Sequence, residues 1–199
     1  MGRSFLAKGD FDSAISSYTE AIRSHPRDAV AFYGRGVAYD RKGDHDKAIT
    51  DFSEAIRLEP KLAVAYCGRA LAHEQKRDFE EALSDCNEAI RLSPKLAEAY
   101  YTRGITYIKK GDADKAILDY TEAIRLNPKF PLAYHNRGVA YKDKGEYDAA
   151  IADYTESIRL NGKFAQAYYN RGYAYEKKGD LEKAEKDFAK AKSLGYQGK

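Results

Sequence analysis

Between Ala97 and Phe130 the apolar and small residues recur at helical spacing, twice over. Tyr100, Arg103, Gly104 and Tyr107 stand at i, i+3, i+4 and i+7, which puts them on one stripe of an amphipathic helix. Lys109-Lys110-Gly111-Asp112 interrupts the pattern: basic residues suit a helix C-terminus, and glycine can take the left-handed conformation that ends one. Asp112 is placed to cap a second helix, with Asp114 adding negative charge to its first turn. That helix carries Ala116, Ile117, Tyr120, Ala123 and Ile124 on one side and stops at Asn127-Pro128, since proline cannot continue the hydrogen-bond ladder. No stretch alternates with period two over a useful length, so the chain is predicted to be all-α.

The same text recurs along the chain. Gly9, Gly43, Gly111, Gly145 and Gly179 fall on one 34-residue grid, with Arg77 in the missing slot. Pro26, Pro60, Pro94 and Pro128 fall on another, where Gly162 takes the fifth place. The predicted organisation is a partial unit at 1–28 with a truncated first helix, then full units at 29–62, 63–96, 97–130, 131–164 and 165–198. The unit at 63–96 is divergent. One helical hairpin cannot bury both its apolar faces alone, so the units must stack.

The first full unit shows an aromatic, a small residue four later, an aromatic, then Ala, aromatic, Ala and Pro, at Phe32, Gly36, Tyr39, Ala48, Phe52, Ala55 and Pro60, and the later units repeat it with substitutions. This pattern resembles the tetratricopeptide repeat over essentially the whole chain. The resemblance implies a right-handed superhelical solenoid of stacked helix-turn-helix repeats, with first helices lining a concave groove. One departure recurs. The family usually has an apolar residue before the small one, whereas here stand Arg35, Arg69, Arg103, Arg137 and Arg171, each followed sixteen residues on by Asp51, Asp85, Asp119, Asp153 or Asp187. In the leading partial unit the two places hold Met1 and Ser17, so both partners are missing together. The expected role is a structural ladder of ion pairs, the alternative a row of ligand-binding arginines. Glu54/Arg57 and its echoes are expected to be solvated surface pairs.

In the last unit Glu185 and Lys192 replace the isoleucine or leucine found at their places elsewhere. Charge there predicts a polar capping helix. The front begins inside a first helix, which raises the expectation that more protein precedes it.

Charge and composition narrow the function. Thirty-four basic and 31 acidic residues leave a net charge of +3, interspersed rather than gathered into the basic stripe that nucleic acid requires. No apolar run reaches the roughly 18 residues of a membrane span, and the opening MGRSFLAKGD has no apolar signal region. Leu6 stands where a myristoylation signal following Gly2 wants Ser or Thr. Two cysteines, Cys67 and Cys86, form neither metal-type spacing nor a disulfide framework. A reducing, cytoplasmic location fits, although a piece of a longer secreted protein would look the same.

Catalytic signatures are missing from the sequence. The Gly-rich YGRG is a helical packing motif rather than a phosphate loop. The histidines His25, His45, His73 and His135 never pair at i, i+4. Cys67, His73 and Cys86 share one hairpin and invite a metal, but His73 and Cys86 occupy slots held elsewhere by core aromatics. No catalytic residue, cofactor, metal or small-molecule substrate is expected.

What remains is the arc of each first helix opposite its packed stripe. Its fifth places hold Tyr33, Cys67, Tyr101, His135 and Tyr169; its sixth hold Gly34, Gly68, Thr102, Asn136 and Asn170; its ninth hold Val37, Leu71, Ile105, Val139 and Tyr173. An apolar row beside a tyrosine row predicts a groove for a peptide or protein partner. Its expected contact residues are Tyr33, Val37, Tyr101, Thr102, Ile105, His135, Asn136, Val139, Tyr169, Asn170 and Tyr173. Side-chain amides offer both a donor and an acceptor to an extended backbone, a use of asparagine at this place that the resemblance also implies. The clamp by which some family members hold the acidic tails of chaperones needs Lys at a fifth place and Asn at a ninth, and neither is present. The expectation is a non-enzymatic interaction scaffold or adaptor, monomeric, with association open to it through the uncapped N-terminal end. The alternatives are a regulatory or targeting segment of a larger, possibly enzymatic, protein and, more distantly, an RNA-binding repeat.

Overall fold

The computed structural model describes residues 2–197; Met1 and its place in the predicted ladder lie outside them. Among these residues the chain forms twelve helices and no strand. They are α1 (Gly2–Lys8), α2 (Phe11–Ser24), α3 (Ala29–Lys42), α4 (His45–Leu58), α5 (Ala63–Lys76), α6 (Phe79–Leu92), α7 (Ala97–Lys109), α8 (Ala113–Leu126), α9 (Pro131–Asp143), α10 (Tyr147–Leu160), α11 (Ala165–Lys177) and α12 (Leu181–Ser193).

Local chemistry sets the ends. Asp10, Asp28, Asp44, Asp112 and Asp180 each accept a hydrogen bond from the backbone N–H three residues on, satisfying a donor that the first helical turn leaves open. Gly43 closes α3 at φ 89°. Arg77 closes α5 in the same left-handed conformation at φ 68°, where a Cβ is disfavoured. The following Asp78 gives no side-chain cap to α6; its Oδ2 lies 3.5 Å from His73 Nδ1 instead.

The helices divide into two compact units, one running through Thr106 and the other from Tyr107. In the first unit each of α1 to α5 packs on the next helix, and the first helices α1, α3 and α5 also touch in order. The ring of Phe52, on α4, shows how tightly. It lies against Gly36 of its own hairpin and Gly68 of the next, where an added Cβ would come within 2.8 and 2.7 Å of it. Any larger residue would push the helices apart. In the second unit α8 to α12 likewise pack in sequence, with α9 touching α11, and Tyr154 takes the place of Phe52, buried against Gly138.

The arginines are structural in both units. Arg35 donates from Nε and Nη2 to the two carboxylate oxygens of Asp51, at 2.7 and 2.8 Å. Arg69–Asp85, Arg137–Asp153 and Arg171–Asp187 repeat this fork at 2.7 to 2.8 Å. The remaining guanidinium nitrogen, Nη1, reaches the preceding hairpin: Arg35 to Thr19, Arg69 to Ser53, Arg137 to Thr121 and Arg171 to Thr155. Arg103 makes the same backward reach to Asn87, at 2.8 Å. Each guanidinium also stacks on the aromatic three residues before it, from Phe32 to Tyr168, at 5.6 to 5.8 Å. One side chain therefore closes its own hairpin and ties it to its predecessor. The Glu54–Arg57, Glu88–Arg91, Glu122–Arg125 and Glu156–Arg159 pairs lie on the surface.

On α12, Glu185 and Lys192 are exposed. The chain then turns back, and Tyr196 stacks on Tyr169 with centroids 4.6 Å apart, a contribution to this end that the charge pattern did not announce.

Candidate functional site

In the first unit the inner arc of the first helices is apolar and largely filled. Tyr33 lies with its ring 5.8 Å from Phe52, and burial raises the pKa of its hydroxyl. Val37 packs on the same core cluster and also borders a hollow of about 400 Å³ lined with Leu6, Ala7, Phe11 and Arg41. Burial likewise pushes the Cys67 thiol up to about 12. Tyr101 and Ile105 are half-buried.

Thr102 requires a correction. Expected at the groove surface, it is 2% exposed. The physical reason shows at the sixth places of the two preceding first helices, α3 and α5. There Gly34 faces the ring of Tyr18 and Gly68 faces that of Phe52, both from the preceding second helix. Sixth places thus open toward the seam between hairpins as well as toward the arc.

In the second unit the same places carry polar groups. His135 is also corrected from exposed to buried, at 4%. Its ring lies between Phe164, at 4.7 Å, and Tyr154, at 5.7 Å. Both ring nitrogens are nevertheless bonded. Nδ1 lies 3.1 Å from Asn136 Oδ1, and Nε2 lies 3.0 Å from Asn170 Nδ2. An amide oxygen only accepts and an amide NH₂ only donates, so these contacts fit a neutral imidazole protonated at Nδ1. Burial outweighs the Asn136 hydrogen bond, which acts upward, and holds its pKa below the ordinary histidine value; the charge of Lys142 acts in the same direction as burial.

Asn136 and Asn170 are themselves half-exposed, as are Val139 and Tyr173. Lys142 Nζ and Lys177 Nζ lie 5.7 and 5.2 Å from the Tyr173 ring centroid. The ring of Tyr169 packs on those of Phe188, at 5.4 Å, and Tyr196, at 4.6 Å.

Sequence reasoning missed two features here. Tyr154 is 0% exposed and its hydroxyl has no hydrogen-bond partner; the signal was a Tyr where the first full unit has Phe52. Val30 and Leu132, at second places of their helices, stand exposed; an apolar residue at both was legible but unused. Among the described residues no group of three or more His, Cys, Asp or Glu side chains is arranged to hold a metal ion, and no helix is long and apolar enough to cross a membrane.

Family models described as tetratricopeptide repeat match residues 1–63, 63–96, 86–117 and 165–194, and a TPR repeat model matches 104–145 and 140–179. No curated protein matches the chain. Among solved structures, that of MamA is 30% identical with a TM-score of 0.66, covering 83% of this chain and 97% of that one. The structure of YrrB, described as a TPR protein with an unusual peptide-binding site, is 23% identical with a TM-score of 0.66, covering 92% and 95%. PilF of Pseudomonas aeruginosa is 18% identical with a TM-score of 0.84, covering 99% and 90%; at such identities the last two show the fold alone. Repeat models from end to end, together with the match to MamA, place the chain: it belongs to the tetratricopeptide repeat family.

Proposed function

We propose that the protein is a non-enzymatic interaction scaffold that binds a peptide or protein partner on the inner arcs of its first helices. The observation that carries this reading is the pair of half-exposed amides Asn136 and Asn170, one repeat apart on α9 and α11 and bonded through His135. A helix surface facing only water has no need of a buried imidazole to tie its amides. A surface that must present hydrogen-bonding groups at a fixed spacing does. Val139 and Tyr173 supply apolar contact area beside them, and a tyrosine ring does so at low entropic cost. Tyr33, Val37, Tyr101 and Ile105 offer a more apolar surface in the first unit. Tyr169 belongs to the second-unit surface through the edge that Phe188 and Tyr196 leave open.

The test is a synthetic peptide selected on the wild-type protein from a phage-displayed random library. Asn136→Ala together with Asn170→Ala should weaken it by roughly 1–3 kcal/mol, the cost of losing desolvated backbone hydrogen bonds. The same change leaves both nitrogens of His135 without partners, so part of the loss will appear as lower stability. Affinity must therefore be compared at a temperature where both proteins show full helicity. Equal affinity there would move the binding surface elsewhere.

A further inference from the structure

His135 has no counterpart in the first unit, where the fifth places hold Tyr33, Cys67 and Tyr101. It is buried at 4%, clamped between the rings of Phe164 and Tyr154, and bonded at both nitrogens. The direction of those bonds carries a consequence for Asn170. An asparagine amide on an open helix face can turn over, exchanging its oxygen and nitrogen at little cost. Here Asn170 must offer its NH₂ to the unprotonated Nε2, because Nδ1 already spends the single ring proton on Asn136 Oδ1. The orientation leaves Asn170 Oδ1 unused by His135 on a half-exposed residue, and within the described residues it accepts no hydrogen bond.

We infer that His135 is a positioning residue: through its tautomer it locks Asn170 with the carbonyl outward, so that this step of the surface accepts an N–H from the partner's main chain and does not donate to a C=O. The inference rests on the peptide-binding reading given above and adds a polarity to it. A bound strand presents N–H and C=O groups alternately, so a site that takes only one of them at one place selects the register, and with it the direction, of the chain.

The experiment has two arms. In the first, long-range imidazole nitrogen–proton spectra of the ligand-free, isotope-labelled protein report which ring nitrogen of His135 is protonated, the signal being identified by its loss in His135→Phe. The expected result is a proton on Nδ1. A proton on Nε2 overturns the inference while leaving the peptide-binding reading untouched.

The second arm uses the selected peptide as probe, in both its amide form and a series with single ester links, each of which removes one N–H. Asn170→Ala should weaken the amide peptide roughly tenfold, the upper range for one hydrogen bond. One ester link should cost wild type a similar factor and cost Asn170→Ala nothing further. His135→Phe keeps a ring between Phe164 and Tyr154 but frees the amide to take either orientation, so it should lose about twofold, the cost of halving the binding-competent population.

Adding Asn170→Asp to His135→Phe should restore binding, because a carboxylate presents an acceptor whichever way it turns; a merely structural histidine would not be rescued this way. No rescue, or no ester link coupled to Asn170 while Asn170→Ala still weakens binding, overturns the inference. Binding indifferent to both Asn136→Ala and Asn170→Ala overturns the reading beneath it, and the inference falls with it. If His135→Phe does not fold, the ester series on wild type and Asn170→Ala still decides, and the His135 signal is identified instead by elimination, with His25, His45 and His73 each replaced in turn.

Discussion

The first helices α3 and α5 of the first unit and α9 and α11 of the second are built on one plan and present opposite chemistry. At the fifth and sixth places α3 and α5 offer Tyr33-Gly34 and Cys67-Gly68, while α9 and α11 offer His135-Asn136 and Tyr169-Asn170. In the first unit the glycines let Tyr18 and Phe52 close over the seam, so packing uses up the place. In the second the amides fill it and remain half-exposed. The Arg–Asp forks are alike in both. Repeat architecture thus separates two tasks: a few places hold the stack together, and others are released to vary from one hairpin to the next.

The largest effect should come from what the units share. Asp51→Ala in the first and Asp153→Ala in the second each strand an arginine whose side chain is mostly buried. Each should cost about 3 kcal/mol, the low end for a buried charge left without its partner, since the guanidinium keeps some contact with water. Replacing both members by Leu and Ala should cost less than removing the aspartate alone. Denaturant melts of the single and double variants measure this; unequal costs in the two units would mean that the forks are not interchangeable stitches.

Exchanging the differing places comes next. Gly34→Asn puts a Cβ within 2.4 Å of the Tyr18 ring and should destabilise by about 1–3 kcal/mol through overpacking. The reciprocal Asn136→Gly removes the acceptor of His135 Nδ1 and puts a glycine inside a helix, so about 2–3 kcal/mol is expected. If both exchanges were neutral, the two inner arcs would be equivalent surfaces and the contrast between them without consequence.

A milder lever is pH. Burial, aided by the charge of Lys142, holds the pKa of His135 below its ordinary 6.5. The unfolded chain therefore takes up a proton that the folded one refuses, and the contribution is complete above 6.5 and declines as the pH falls below it. Two of the fifth-place residues of the first unit, Tyr33 and Cys67, are shifted upward and do not titrate there. The check is the difference between wild type and His135→Phe from pH 7.5 down to about 5, which removes the contributions of the other histidines. A difference that stays flat would show His135 no harder to protonate folded than unfolded.

The contrast also marks how far the sequence could be read. Helices, hairpins and the arginine–aspartate partners were legible because each depends on spacing within one hairpin, as Arg35 and Asp51 do. The second anchor of each arginine, Thr19 for Arg35, was not, since it requires knowing how one hairpin sits on its predecessor. The burial of Thr102 and His135 escaped for the same reason. Counting places around a helix puts both on the open arc, whereas Phe164 reaches His135 from a connecting loop and second-helix rings close the seams beside Gly34 and Gly68. The amides were picked out by their period, but their link through His135 depends on two side chains meeting across α9 and α11.

The smallest effect is expected where the first unit breaks its own pattern. Arg77 adopts φ 68° at the turn that ends α5, while Gly9, Gly43, Gly111, Gly145 and Gly179 occupy the corresponding turns at φ 76 to 89°. A side chain there carries the strain of the left-handed region, roughly 1 kcal/mol. Glycine relieves it but gives the unfolded chain more freedom to lose on folding. Arg77→Gly should therefore raise stability by only about 0.5 kcal/mol, the remainder of those opposing terms. Exposure of Arg77 means that little packing is lost with the side chain. The gain should be local, seen as slower amide exchange at Arg77 and Asp78, whose N–H groups bond to Glu74 and His73 carbonyls across the turn. Gly111→Arg, the reciprocal change in the second unit, should lose a similar amount, because its Cβ meets nothing within 4 Å and only backbone strain remains. If Arg77→Gly lowered stability instead, the arginine would be contributing through a contact at that turn, and the divergence of this hairpin would be an adaptation rather than a tolerated strain.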